Sequence, residues 1–586
     1  MLTVKNIVTL LLLIFCFLSI FASAKNDTEI VKGELGKKLD LYLTRITPFG
    51  FSGALLVAKD GEIILNQGYG MAIRSKGIRN TSETVFCTGS ITKQFTAAGI
   101  MKLEMQGKLN TNDPINKYLD GVPQDKSGIT LHHLLTHTSG LVQDVGGDYE
   151  IANRDETVKK VLAQPLEFNA GERFEYTNVG YSLLAAIIEK ISGKSYEEFL
   201  NEQLFKPAGM YFTGYRIPEW DKKVVAHWYV GDTDNGIPLE KPFPYWNLLG
   251  NGGIISTTED MYKWHLALLG EKVLSAEAKK KLFTPFLNDY AYGWDVLQTP
   301  HGILIQHNGG SDLGNSAEIR RYIDSNVVTI LFCNQFYNGK PLIDAVRDKI
   351  ENLVFGGDVE IPPAVMASKP DILRRFEGKY KLPSGGILTA CAGNNGLVIR
   401  AEGQEAINAL AFPEQENLSL YNDLNARSVT IFESAIKGDF KPLGEMLANK
   451  EKRFERVRQF IQMRMERNKE NTGEIKNVGV LGTLPSSFED GAVETIVELK
   501  GEKGSVLFLL VWKDGKNLGV GPVESEQVIS MPFLPISETE FTGYHLGMAK
   551  NVSISFNISD GDSVLSLVLH KKSGKLEAVK VKKQVR

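Results

Sequence analysis

From about Ile30 to Phe355, apolar residues recur at every second position in some stretches and at every third or fourth in others. The first pattern marks strands with one buried face and the second marks helices, so the region reads as an α/β or α+β domain. Gly53–Leu65 predicts two strands about a Lys59-Asp60-Gly61-Glu62 turn, because Asp-Gly supplies the positive dihedrals that a tight hairpin needs. Near the other end, Ile303-Leu304-Ile305 and Val327–Phe332 are apolar and β-branched, which suits buried strands. Strands at both ends with helices between them predict one sheet closed by its terminal strands.

The pattern breaks between Gly356 and Pro370. Gly356-Gly357 and Pro362-Pro363 interrupt any period, and this stretch predicts an exposed linker that ends the first domain, 30–355. Residues 371–424 read as short strands separated by turns such as Pro383–Gly386 and Gly393–Gly396, a small β unit. From 425 the period turns helical, with Phe454, Val457, Ile461 and Met465 on one face. Strand-like runs resume at Val478 and include Val493–Leu499 and Ser505–Trp512, so residues 425–586 predict an α+β accessory domain of helices followed by a sheet.

A chain of 586 residues exceeds what one core usually organises, in keeping with this division. Hydrophobic residues at 43% and charged residues at 23% exclude a disordered or collagen-like chain. The net charge of -4 gives no basic face for nucleic acid, and Lys571, Lys572, Lys575, Lys580, Lys582 and Lys583 read as a solvated face. Lys5, the apolar run Ile7–Ile20 and Ala22-Ser23-Ala24 form a secretory signal over 1–24, which predicts export to the periplasm or the medium. The competing reading is an uncleaved membrane anchor. Cys16 follows the bulky Phe15, which argues against lipidation. Cys87, Cys333 and Cys391 are odd in number and widely spaced, so structural thiols are expected rather than a disulfide framework.

Three short motifs carry candidate chemistry. Ser90-Ile91-Thr92-Lys93 places a hydroxyl and an amine one helical turn apart, at the start of a helix striped by Phe95, Ala98, Met101 and Met105 and stopped at Gly107. Serine is a weak nucleophile alone, and a partnered base makes it useful at neutral pH. Tyr176-Thr177-Asn178 precedes a helix with Leu184, Ala185, Ile188 and Ile191 inside. A phenol near an ammonium can be lowered in pKa enough to share the base's work. His307-Asn308-Gly309-Gly310 follows a strand, and its glycine pair marks close backbone approach. Each motif also has a plain structural reading: a capping Ser with a surface Lys, a packed Tyr with a capping Asn, and a bulge with a hydrogen-bonded His.

Taken together and in this order, the motifs resemble those of the serine β-lactamase-related superfamily, which holds class C β-lactamases, D-Ala-D-Ala carboxypeptidases and esterases. Ile129–Leu141, Tyr181–Leu184, Pro207–Met210 and Gly252–Asp260 are similar to further family hallmarks, over roughly residues 35 to 355. The resemblance implies a β-lactamase/transpeptidase-like α+β domain, with a central antiparallel sheet flanked by helices and an all-helical subdomain. It implies Ser90 as nucleophile, Lys93 and Tyr176 as base and acid, and Asn178, His307 and Gly309 as substrate-binding residues. The N–H groups of Ser90 and Gly310 would form the oxyanion hole, and no cofactor or metal is implied. The expected activity is cleavage of an ester or amide through an acyl-enzyme, as in an esterase, a D-stereospecific peptidase or a β-lactamase, on a small or peptide-like substrate. The rival class is a binding or scaffold protein on the same fold.

Where β-lactamases carry Lys-Thr-Gly, this chain has His307-Asn308-Gly309, which weakens the case for carboxylate recognition. An imidazole there changes charge near neutral pH unless its surroundings shift it. His133 and His137 have a helical zinc spacing, but Leu134 stands where a zincin has Glu, so His132, His133 and His137 are expected to be hydrogen-bonded instead. Phe376–Tyr380 is similar to lipocalin-like appendages of the superfamily. Residues 425–586 resemble a cone-shaped α+β module for ligand binding or self-association.

Overall fold

Asp60 and Gly61 both adopt positive φ, 53° and 82°, and so close the expected hairpin between the strands Gly53–Lys59 and Glu62–Tyr69. The structure, a computed structural model, describes residues 29–337, 340–410, 418–448, 450–486, 491–523, 530–571 and 574–581. The expected signal over 1–24 and the residues Lys572, Lys582 and Lys583 lie outside the described residues. Cys87 and Cys333 are buried and Cys391 is exposed.

The hairpin belongs to a seven-stranded antiparallel sheet. In spatial order its strands are Ile30–Val31, Glu62–Tyr69, Gly53–Lys59, Val327–Cys333, Ser316–Tyr322, Gly302–Gly310 and Asp295–Thr299. The early strand Gly53–Lys59 pairs with the late strand Val327–Cys333, so the ends of the region meet inside one sheet, as the sequence predicts. The helix Thr92–Met105 is buried around nearly its whole girth, which is how a lysine in its first turn comes to lie in the core. Phe95 anchors it edge-on to Phe205 and against Trp264, both at 5.1 Å between ring centroids. Truncating such a ring costs about 3–5 kcal/mol. Met105, expected in the apolar stripe, is 44% exposed because the helix ends there and Gly107 turns the chain away at φ +68°. The helix Val179–Ser192 packs beside it with Leu184, Ala185 and Ile188 fully buried, and ends on Gly193 at φ +70°.

The first compact unit comprises residues up to Leu43 and Phe51–Ile343, and the second Thr44–Gly50 and Asp344–Arg586. The expected boundary at 355 is therefore late. The amphipathic helix Leu342–Val354 goes almost wholly with the second unit, where Lys349 donates to the Gly547 carbonyl. The expected linker 356–370 has no helix or strand before Pro370, yet it is not a free tether. Its Met366 N–H donates to the Pro535 carbonyl at 2.8 Å, and Glu360 accepts from the Asn551 N–H at 2.9 Å.

The division at 424 is also corrected. Gly378–Lys381, Ile387–Ala392 and Leu397–Glu402 do not make a separate unit. They join Ser530–Pro535, Glu540–His545, Lys550–Ile558, Val564–Lys571 and Gly574–Lys580 in one closed eight-stranded barrel. Leu397–Arg400 pairs with Ser530–Phe533, and Tyr380 with Lys580 closes the ring. The physical reason is closure: three strands leave two open edges, and the last five strands cover both. Between Glu402 and Ser530 an insertion carries the helices Leu418–Ala435 and Lys450–Thr472 and a four-stranded sheet, Ile475–Pro485 to Lys516–Val523. Val457 and Ile461 are buried there with Phe508 and Trp512, as the helical period predicts. The helix-then-sheet module therefore ends at Val523, not at 586.

Candidate active site

Ser90 sits on a single 3-10 turn, Gly89–Ile91, that leads into the buried helix. Thr88 fixes the approach, since both its N–H (2.9 Å) and its hydroxyl (2.8 Å) donate to the Ile254 carbonyl. Gly89 has φ +53°, and a Cβ there would lie 2.3 Å from the Gly310 nitrogen. A Cβ on Gly309 would lie 2.3 Å from the Ser90 nitrogen. Both obstacles are backbone atoms, so no side chain fits at either position. The glycines thus let the turn and the strand Gly302–Gly310 meet backbone to backbone, which brings the amides of Ser90 and Gly310 together beside the Ser90 hydroxyl.

Lys93 is fully buried. Its Nζ donates to Ser90 Oγ (3.0 Å), Asn178 Oδ1 (2.8 Å) and the Asn251 carbonyl (2.9 Å), which uses all three donors of an ammonium. Burial pushes its pKa down to about 7, against the opposing pull of the Asp144 and Asp148 charges. A lysine in that range is available as a neutral amine at physiological pH. The Tyr176 ring lies 4.7 Å from this Nζ, and its hydroxyl is hydrogen-bonded to Ser90. The expectation of a lowered phenol pKa is overturned. Burial raises it, the Ser90 contact only partly offsetting this, so Tyr176 is a neutral O–H and Lys93 alone has the character of a base.

His307 also departs from expectation. It is 3% exposed, its Nδ1–H donates to the Asn308 carbonyl at 2.6 Å, and its Nε2 accepts from the Tyr290 hydroxyl at 3.0 Å. Burial first and the Lys93 charge second push its pKa down to about 3, so it is neutral in the physiological range. Ser90, Asn178 and Gly310 line the open cleft, Lys93 and His307 are buried beside it, and Tyr176 and Gly309 are half-buried. His307 is therefore a buried, uncharged neighbour of the site, and Gly309 meets the backbone at Ser90.

Further contributors stand outside the three short motifs, among them Asp144, His137 and Asn251. Asn178 Nδ2 donates to Asp144 Oδ1 at 2.9 Å, which orients its carbonyl oxygen toward Lys93. His137 holds φ +57°, accepts from the Thr177 N–H at Nδ1 (3.1 Å) and lies 4.2 Å from the Tyr176 ring. Its pKa is driven far down by burial and by Lys93, so a second neutral imidazole braces the tyrosine. The Asn251 carbonyl precedes the Gly252–Asp260 hallmark, which was the available clue. His132 meets the Tyr292 hydroxyl at 2.8 Å and His133 accepts from the Thr130 N–H at 3.2 Å, so the zinc-spaced histidines are engaged in hydrogen bonds.

A family model described as Beta-lactamase matches residues 49–351. PbpX of Bacillus subtilis (strain 168) is 33% identical over 337 residues, which cover 56% of this chain and 81% of that protein. Penicillin-binding protein 4* of the same organism is 30% identical over 419 residues, 66% of this chain and 92% of that protein. Among solved structures, FmtA from Staphylococcus aureus aligns over 56% of this chain and 89% of its own, with 26% identity and a TM-score of 0.49.

Proposed function

The chain belongs to the Beta-lactamase family and is a serine hydrolase of that type, and from this premise we propose that it cleaves an ester or amide through an acyl-enzyme on Ser90. Neutral Lys93 takes the Ser90 proton as Oγ attacks the substrate carbonyl carbon. The negative charge then forming on the carbonyl oxygen is met by the N–H groups of Ser90 and Gly310, a contribution of about 3–4 kcal/mol per donor in comparable sites. Tyr176, a neutral phenol joined to Ser90, relays a proton to the leaving group. Collapse of the tetrahedral intermediate expels the alcohol or amine. Water repeats the sequence on the acyl-Ser90 ester and frees the acid. Asn178 holds the acyl side.

The observation that carries this reading is Lys93: fully buried, 3.0 Å from Ser90 Oγ, and held near the pKa of a useful base. A capping serine with a surface lysine would have neither the burial nor the contact. The segment 1–24 supports export as part of the proposal, and the insertion between Glu402 and Ser530 supports a ligand-binding or self-associating accessory. The deciding experiment is intact-mass measurement after incubation with a fluorophosphonate and, separately, with a penicillin. One adduct on the wild type and none on Ser90→Ala is expected. An adduct that persists in Ser90→Ala would remove the assignment.

A further inference from the structure

Acyl transfer leaves one property of the cleft unused, its charge. Asp148 lines the cleft with Ser90, Asn178 and Asn315. Its carboxyl is held above its ordinary range by partial desolvation and by the negative charges of Asp144 and Asp312, with Lys93 opposing. Asp148 thus stands on the cleft wall within electrostatic reach of two further carboxylates, one of which, Asp144, is bound to the cleft residue Asn178, and like charges so placed favour a cation beside them. Among the described residues, no lysine or arginine lines the cleft. Lys93 is enclosed behind the wall among three acceptors. His307 occupies the position of the family's cation and is uncharged. Arg216, whose field reaches Tyr149 on the cleft wall, donates instead to the carbonyls of Leu239 (2.8 Å) and Lys241 (2.9 Å). The permanent charge that a substrate meets is negative.

A second observation points to a ligand. Asn315 is 1% exposed, its Oδ1 accepts from Ser311 Oγ at 2.5 Å, and its buried Nδ2 has no hydrogen-bond partner among the described residues. A buried donor left unmade is costly, and a substrate oxygen in the cleft would satisfy it.

We propose that the substrate is a cationic ester or amide with a protonated amine near the scissile carbonyl, Asp148 supplying the counter-charge and Asn315 Nδ2 donating to a substrate oxygen. The proposal rests on the Ser90 acyl-transfer reading.

The test uses the full chain and three aryl esters with one leaving group and one acyl length: an aminoacyl ester, its desamino neutral isostere, and a carboxylate-bearing analogue. At pH 7 and low salt, kcat/KM for the aminoacyl ester should exceed that of the neutral ester at least tenfold, with the anionic ester slowest. The ratio of cationic to neutral turnover should shrink to within about threefold in Asp148→Asn and fall below one in Asp148→Lys, and 1 M salt should compress it in the wild type. Asp148 is exposed, so both variants should melt with the wild type. Asn315→Ala should raise KM for the aminoacyl ester several-fold, and an unchanged KM would remove Asn315 from the proposal. Equal turnover of cationic and neutral esters, or preference for the anionic one, overturns the inference while leaving acyl transfer intact. Absence of any fluorophosphonate adduct on Ser90 would instead remove the reading beneath it.

Discussion

Around Ser90 the chain buries a lysine and two neutral histidines and brings three glycines into backbone contact, whereas the barrel closed by the pairing of Tyr380 with Lys580 encloses Phe376, Phe541, Phe556 and Leu567. In the barrel each buried ring adds stability, about 1.5–3 kcal/mol by transfer alone. In the cleft burial works the other way. It makes an ammonium costly, and that cost brings the Lys93 pKa down to about 7. The two interiors show that burial is one physical operation with opposite uses, set by whether the enclosed group is apolar or ionisable.

The sharpest way to break the comparison is at the nucleophile. Ser90→Ala should lower kcat/KM by about 10⁴-fold or more, since serine and base act as a unit. Lys93→Ala should fall comparably, and the double variant should be no slower than either single one by more than about threefold. Melting curves should show Ser90→Ala fully folded. Next comes the barrel, where Phe556 packs on Phe376 at 4.4 Å and on Phe541 at 5.7 Å between centroids. Phe556→Ala should cost about 3–5 kcal/mol in urea unfolding of the second unit. Its kcat/KM below the melting range should stay at the wild-type level, and a parallel loss of activity would erase the distinction between the two interiors.

Gly309→Ala drives a Cβ to 2.3 Å from the Ser90 nitrogen, against backbone that cannot swing aside. Loss of a well-placed oxyanion donor predicts a fall of about 10²–10³-fold in kcat. Smaller effects come from pH. Turnover of a neutral ester should rise through pH about 7 as Lys93 loses its proton, and His307, held at about 3, should add no further limb between pH 5 and 8. His307→Lys should lower the melting temperature without selective gain on anionic substrates, which matched pH profiles would reveal.

The last effect is on the pH dependence of stability. With the folded pKa of Lys93 near 7 and the ordinary value at 10.5, the unfolded chain holds more protons between those limits, so folding strengthens as pH rises across that window. Lys93→Met removes this slope. Its melting temperature relative to wild type should be most favourable near pH 6 and fall away toward pH 10, as calorimetry at several pH values would show.

The turn at Ser90 was legible because its signals are local. Asp60-Gly61 names its own hairpin, and the Ser90–Lys93 spacing places both groups on one helical face. The state of His307 was not legible, because its proton depends on Tyr290 and on burial by residues distant in sequence. The sign of the Tyr176 shift failed for the same reason. A neighbouring ammonium can be inferred from spacing, but the desolvation that outweighs it belongs to the folded core. Asp148 carries no motif at all. The first barrel strands were legible as a small β unit, yet nothing in a short strand names its partner, and so Leu397–Arg400 was not matched to Ser530–Phe533.

That pairing has a consequence for how the chain is made. When Leu397–Glu402 leaves the ribosome, the strand that will cover its open side is still about 130 residues away. At synthesis rates of about 5–20 residues per second the gap lasts on the order of ten seconds. During that time a nascent three-stranded sheet presents an unpaired edge while the intervening helices and their own sheet assemble. A slow translation step between residues 403 and 529 would lengthen that exposure, and the first symptom would be aggregation of new chains rather than loss of activity in finished ones.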